Sequence, residues 1–152
     1  WKVNLAVQAN TQAAMHSTRA MYDLFAQLVR ETLLSKSISV NACSIRKVCK
    51  ALPESQLKCC LDDLLSSKEF KYVDAFVNTM KHRSLVDFGP LASLESGECG
   101  LQFRAFQFNE DSFPALWAKD VLEYARKTKN VVIVAGQLLN KECGVYDEGR
   151  DK

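Results

Sequence analysis

Six cysteines and two histidines hold most of the reactive chemistry open to this chain: Cys43, Cys49, Cys59, Cys60, Cys99 and Cys143, with His16 and His82. A thiol activated by an imidazole is a nucleophile, and the same two groups hold zinc. Structural zinc sites draw paired ligands about two to four residues apart from one loop, so that both reach the same ion. The only close pair here is Cys59 and Cys60, which are adjacent. Adjacent side chains on a helix diverge by about 100°. Core and surface thiols are therefore expected, with no metal and no cofactor. Cys99 stands apart because Gly97 and Gly100 flank it.

The string Gly97-Glu98-Cys99-Gly100 resembles the G-x-C-G nucleophile loop of chymotrypsin-like viral cysteine proteases. The resemblance covers four residues. It implies a Cys-dependent hydrolase centred on Cys99, a histidine such as His82 to activate the thiol, and glycines that let backbone amides face the oxyanion. It also implies a site between two β-barrels, whereas most of the chain before Cys99 reads as helix. A glycine-rich loop with an incidental cysteine is the preferred expectation. Asp87-Phe88-Gly89 duplicates a kinase tripeptide, but neither the glycine-rich loop nor the His-Arg-Asp loop accompanies it. No glycine-rich phosphate cradle follows the apolar run 131–135, and no Gly-X-Ser-X-Gly, His-Glu-X-X-His or calcium-loop pattern occurs.

Charge narrows the partners. The chain has 152 residues, 47% hydrophobic and 25% charged, with 20 basic against 18 acidic side chains and a formal charge of +2. That composition is of an ordinary globular domain, and the charge is too even to demand an anionic partner. Three basic groups remain as nucleic-acid candidates: Arg46, Lys47 and Lys50; Lys81, His82 and Arg83; and Arg126, Lys127 and Lys129. Solvated helix faces and basic helix ends are the preferred account of them. No apolar run approaches the roughly 18 to 20 residues that span a bilayer, so membrane insertion is not expected. Cysteines at helix-like positions point to a reducing compartment, cytoplasmic or nuclear. The start at Trp1, without Met or a leader, suggests a domain cut from a larger intracellular or viral protein.

The elements that position these residues follow from periodicity. Residues 1–35 lack Gly and Pro and predict one long helix or two abutting ones, with Met21, Phe25, Leu28 and Leu33 as its apolar side. Asn41 or Ser44 caps a short helix that stops at Pro53. Leu57, Cys60, Leu61 and Leu64 mark a third helix, and Phe70, Val73, Phe76, Val77 and Met80 a fourth. Beyond Arg83 the period changes. Strands are predicted at 84–88 and 101–108, with a loop over 89–100 between them. A helix capped by Asp111 or Ser112 follows, then a buried strand at 131–135, the pattern of a right-handed β-α-β crossover with parallel strands.

The expected fold is α+β: an N-terminal array of three to four helices, the first one long, packed on a small C-terminal β-α-β unit of two to three strands. Residues 1–83 are expected to form the helical subdomain, 84–140 the small α/β subdomain and 141–152 a polar tail, together one compact domain. The expected function is a non-enzymatic protein-protein interaction or oligomerisation domain. Its surface is the first helix, which has only Lys2 as a charge before Arg19. Interfaces are depleted of charge and enriched in aromatics and Met, which selects Trp1, Leu5, Met15, Met21 and Tyr22. RNA or DNA binding through Arg46, Lys47, Lys50, Lys81 and Arg83 is the second reading, and hydrolysis at Cys99 the third.

Overall fold

The computed structural model describes residues 2–35, 37–95 and 97–144. The helices are α1 (Lys2–Thr32), α2 (Ile45–Ala51), α3 (Gln56–Ser66), α4 (Lys68–His82) and α5 (Ala118–Glu142), with a 3-10 turn at Val40–Ala42. The strands are β1 (Phe88–Ala92), β2 (Cys99–Phe103), β3 (Phe106–Phe108), β4 (Asp111–Phe113) and β5 (Leu116–Trp117). The fold is α+β, with four N-terminal helices, two small antiparallel sheets and a long C-terminal helix. Two compact units divide it: Trp1–Arg19 with Lys68–Lys127, and Ala20–Ser67 with Thr128–Lys152. Among the described residues no helix is long and apolar enough to cross a membrane.

Aromatic packing organises the first unit. The stripe predicted on α4 is buried at Phe70, Val73, Phe76 and Val77, and Tyr72 is buried beside it. Tyr72 meets Phe106, Phe113 and Tyr124 edge to face, at centroid distances of 5.4, 6.0 and 5.5 Å. Phe76 meets Phe103 in the same way at 5.3 Å, so one helix face grips both sheets. Each such ring pair adds about 0.5 to 1.5 kcal/mol beyond area burial. The β3–β4 hairpin turns at Asn109, which adopts φ of 56°, a left-handed conformation that Asn tolerates. Arg83 donates to Asn109 Oδ1 at 2.9 Å and lies over the Phe108 ring, tying that turn to the end of α4. Arg19 on α1 reaches Asp74 on α4 at 2.8 Å.

In the three-stranded sheet, ordered β1-β2-β5, β1 lies at an edge. The Ser93 N–H donates to the Glu98 carbonyl and the Arg104 N–H to the Asp87 carbonyl, which fixes the phase of the ladder. Residues 87, 89, 91 and 93 therefore bond inward, and 88, 90 and 92 face the open edge. Pro90 has no N–H to offer there, and the Phe88 N–H is taken by the Asp87 carboxylate at 2.8 Å. Two of three outward amides are thus closed to a pairing strand.

The second unit is helical. Ser44 caps α2 by accepting from the Lys47 N–H, and Ser55 caps α3 by accepting from the Lys58 N–H. Ile45, Val48 and Cys49 of α2 and Leu57, Leu61 and Leu64 of α3 are buried. Arg30, itself buried, donates to the Ile38 carbonyl and pins the connector after α1.

Several expectations give way here. The β-α-β unit is absent among the described residues: every strand pairing is antiparallel, and residues 131–135 lie inside α5. Five successive apolar residues suit a buried strand or a helix equally, and the buried row Val121, Ala125, Thr128, Val132, Ala135 and Leu139 shows the helix period. Residues 89–92 and 99–100 are paired antiparallel strands instead of loop, because Gly89 and Pro90 fit an edge strand, and Gly97 adopts φ of 67° in the connection. Strand 101–108 is broken at 104–105 into β2 and β3, and residues 111–113 form β4, so the following helix starts only at Ala118. Asp111 and Ser112 therefore belong to β4 instead of capping a helix. Of the polar tail expected over 141–152, residues 141–142 end α5 and 145–152 lie outside the described residues.

Two outcomes test this account. Phe76→Ala removes the ring shared by both sheets and is expected to cost about 3 to 5 kcal/mol in denaturant unfolding. Pro90→Val restores an outward N–H on the edge, so light scattering is expected to show self-association at concentrations where the parent chain shows none.

Candidate interaction groove

An open groove of about 780 Å³ lies in the second unit between α3 and α5. Val131 and Val134 of α5 and Cys59 and Cys60 of α3 give it an apolar floor. Glu54 and Asp63 contribute carboxylates, and Ser55, Gln56 and Asn130 neutral polar groups. Its volume falls within the range of pockets that bind ligands or anchor side chains.

Local chemistry holds its two walls in place. The first amides of a helix have no partner within the helix, and Ser55 satisfies one of them on α3. A capping box would place Glu or Gln at position 58, where this chain has Lys. The second cap instead comes from Glu142, at the end of α5, whose carboxylate accepts from the Leu57 N–H at 3.3 Å. A carboxylate at a helix N-terminus also meets the positive end of the dipole. This bond fixes the end of α5 against the start of α3, where Ser55 and Gln56 line the groove.

Behind the groove, Cys49 of α2 donates from Sγ to Asp62 Oδ1 of α3 at 3.1 Å. Burial, and then this hydrogen bond and the Asp62 charge, push the Cys49 thiol up to about 12. The Cys60 thiol is also raised, first by burial and then by the Asp63 charge. It stays protonated near neutrality and serves as floor. On the outer side of α3, Lys58 bridges Glu54 at 2.5 Å and Asp62 at 3.8 Å.

The residues selected from the sequence are placed differently. Trp1 lies outside the described residues. Leu5 is exposed and Met21 half-buried. Met15 and Tyr22 are fully buried in the chain's own core, so neither is presented to a partner in this conformation. The row that α1 buries is Thr11, Met15, Thr18, Tyr22, Phe25 and Val29, and Leu24 and Leu28 are left 65% and 50% exposed. The alternating spacing of four and three along that row was the available signal. Counting Thr11 and Thr18 as core positions would have shown Leu28 to be outside.

Cys99 opens β2 on the exposed hairpin, beside a cleft of about 180 Å³ that includes Gly100 and Trp117. His82 ends α4 in solvent and His16 is half-buried on α1. Among the described residues neither is hydrogen-bonded to Cys99, and the two β-barrels implied by the four-residue resemblance are not present. No group of three or more His, Cys, Asp or Glu gathers there to hold a metal ion.

Arg46, Lys47 and Lys50 are exposed on α2 in the second unit, while Lys81 and Arg83 belong to the first. Arg83 is engaged at Asn109, Arg126 forms a bidentate pair with Glu123, and Lys127 bridges Glu69. No protein-family model, curated protein or solved structure matches the chain.

The sequence reading missed the groove because it made residues 131–135 a strand. Only as a helix do Val131 and Val134 share a face, at i and i+3.

The raised Cys49 thiol has a consequence at alkaline pH. Cysteine in the unfolded chain loses its proton near 9.0, while Cys49 in the folded chain keeps it to about 12. Below that window both states are protonated and stability is undiminished. Within it, unfolding releases a proton, so stability falls as pH rises. Cys49→Ala is expected to start less stable but to lack this part of the decline, as denaturant unfolding at stepped pH will show. Glu142→Ala is expected to cost about 0.5 to 2 kcal/mol, the usual loss of a helix cap, in the same assay at neutral pH.

Proposed function

We propose that this chain is a non-enzymatic protein-protein interaction domain that docks its partner in the groove between α3 and α5. The observation that carries the proposal is the floor of that groove, where Val134 is 48% exposed next to Val131, Cys59 and Cys60. Apolar side chains grouped in a concavity and rimmed by polar ones are the usual anatomy of a recognition site. Apolar anchors of a partner would fill the floor, and the carboxylates would orient it. Transfer of these valines from water is the driving force, at about 25 cal/mol per Å² of apolar surface covered. Six free thiols, one of them bonded to Asp62, support a reducing compartment, cytoplasmic or nuclear.

Panning a random peptide library on the immobilised chain tests the reading. The parent chain and Cys99→Ser are expected to enrich the same sequences, and Val134→Asp to lose them while retaining its far-UV circular dichroism. Equal enrichment by Val134→Asp, or none by the parent, would overturn it. Light scattering on the same samples reports whether the chain self-associates.

A further inference from the structure

We infer that the groove takes a cationic amphipathic helix from a separate partner protein, an inference that rests on the interaction-domain reading and names its partner class. Two features of the walls lead there. Both walls are helices, whose interior amides and carbonyls are already bonded within each helix. An extended peptide laid between them would bury main-chain groups with nothing to pair, which is costly. A helix brings its own backbone bonds and offers side chains alone, so it suits a groove that has only side chains to offer. Val131 and Val134 lie one turn apart on α5, and Cys59, Cys60 and Asp63 span one turn of α3. That extent admits two apolar anchors at i and i+3 or i+4 of the occupant.

The charge of the occupant follows from α3. Its outer side and cap carry Glu54, Asp62 and Asp63 against the single ammonium of Lys58. Lys58 is already shared between Glu54 and Asp62. Asp63, exposed at the wall of the groove, bridges no cation among the described residues. Its charge is felt locally, since it helps raise the neighbouring Cys60 thiol. An acidic or neutral helix would leave this carboxylate uncompensated as water is displaced. A Lys or Arg one turn from the apolar anchors would meet it.

The chain's own α2 cannot act as this occupant from a second copy. It is basic, with Arg46, Lys47 and Lys50, but its apolar residues Ile45, Val48 and Cys49 are buried at home.

The test uses three fluorescein-labelled synthetic peptides and anisotropy: a Leu/Lys amphipathic helix, a Leu/Glu helix of the same apolar spacing, and the Leu/Lys sequence broken by a central Pro. The Leu/Lys helix is expected to bind at least about tenfold more tightly than either of the others, and to weaken as salt is raised. Asp63→Lys and Val134→Asp are each expected to weaken it about tenfold or more, with circular dichroism of the chain unchanged. Equal binding of the Leu/Lys and Leu/Glu helices, lost in Val134→Asp, would overturn the charge inference and leave the groove reading standing. No binding of any peptide, with no library enrichment, would remove both. A dimeric mass that Val134→Asp converts to monomer would overturn the separate partner in favour of a second copy.

Discussion

A helix can turn only one row of side chains toward its own core, and the row that α5 buries decides what the rest of the second unit presents. Val121, Ala125, Thr128, Val132, Ala135 and Leu139 go inward, separated alternately by four and three residues. Residues 131–135 are all apolar, yet this row admits only Val132 and Ala135 from among them. Val131, Ile133 and Val134 are left outside by geometry alone. Ile133 stays 52% exposed, and the two valines become the floor of the groove. Enclosing all five would require the alternation of a strand covered on both faces, which α5 does not provide.

The same economy governs α3. With Leu57, Leu61 and Leu64 inward, Cys59, Asp62 and Asp63 must lie on the outer faces. The helix is short, so its position depends on bonds made at its ends and along its back. Ser55 and Glu142 share its first amides, and Cys49 holds Asp62 from α2. Individually these are bonds of about 1 kcal/mol. Their effect is positional: they fix which residues of α3 stand opposite Val131 and Val134. In the first unit the corresponding task falls to aromatic rings, since β3 and β4 have only three residues each and could not persist alone. Tyr72 and Phe76 hold them on α4, and Arg83 fixes the hairpin turn.

Much of the helical part was legible. The long first helix, the Ser44 cap, the stop before Pro53, the third helix with its leucine stripe, and the buried stripe of α4 all follow from spacing, caps and breakers that act over a few residues. The sheet region was less so. Gly89, Pro90 and Gly100 are loop-formers by type, but an edge strand accepts proline where its nitrogen faces outward, and whether a strand is an edge is settled by its neighbours. The apolar side of α1 was misjudged for a related reason. Leu28 outranks Thr18 on any hydrophobicity scale, yet Thr18 lies in register with Met15 and Tyr22, and register overrides type.

The sequence by itself determined the fold class, the near-neutral charge, the helical segments with their local caps, and the lack of any run long enough to span a bilayer. These depend on composition and on interactions between residues within one or two turns of each other. Tertiary structure alone decided that residues 131–135 are helical, that Met15 and Tyr22 belong to the core, and that a groove forms beside Cys59 and Cys60. Each of these depends on pairings such as Glu142 with Leu57, 85 positions apart, which local periodicity cannot encode. A continuous apolar run satisfies helix and strand equally, and only the shape of the surface that receives it selects between them.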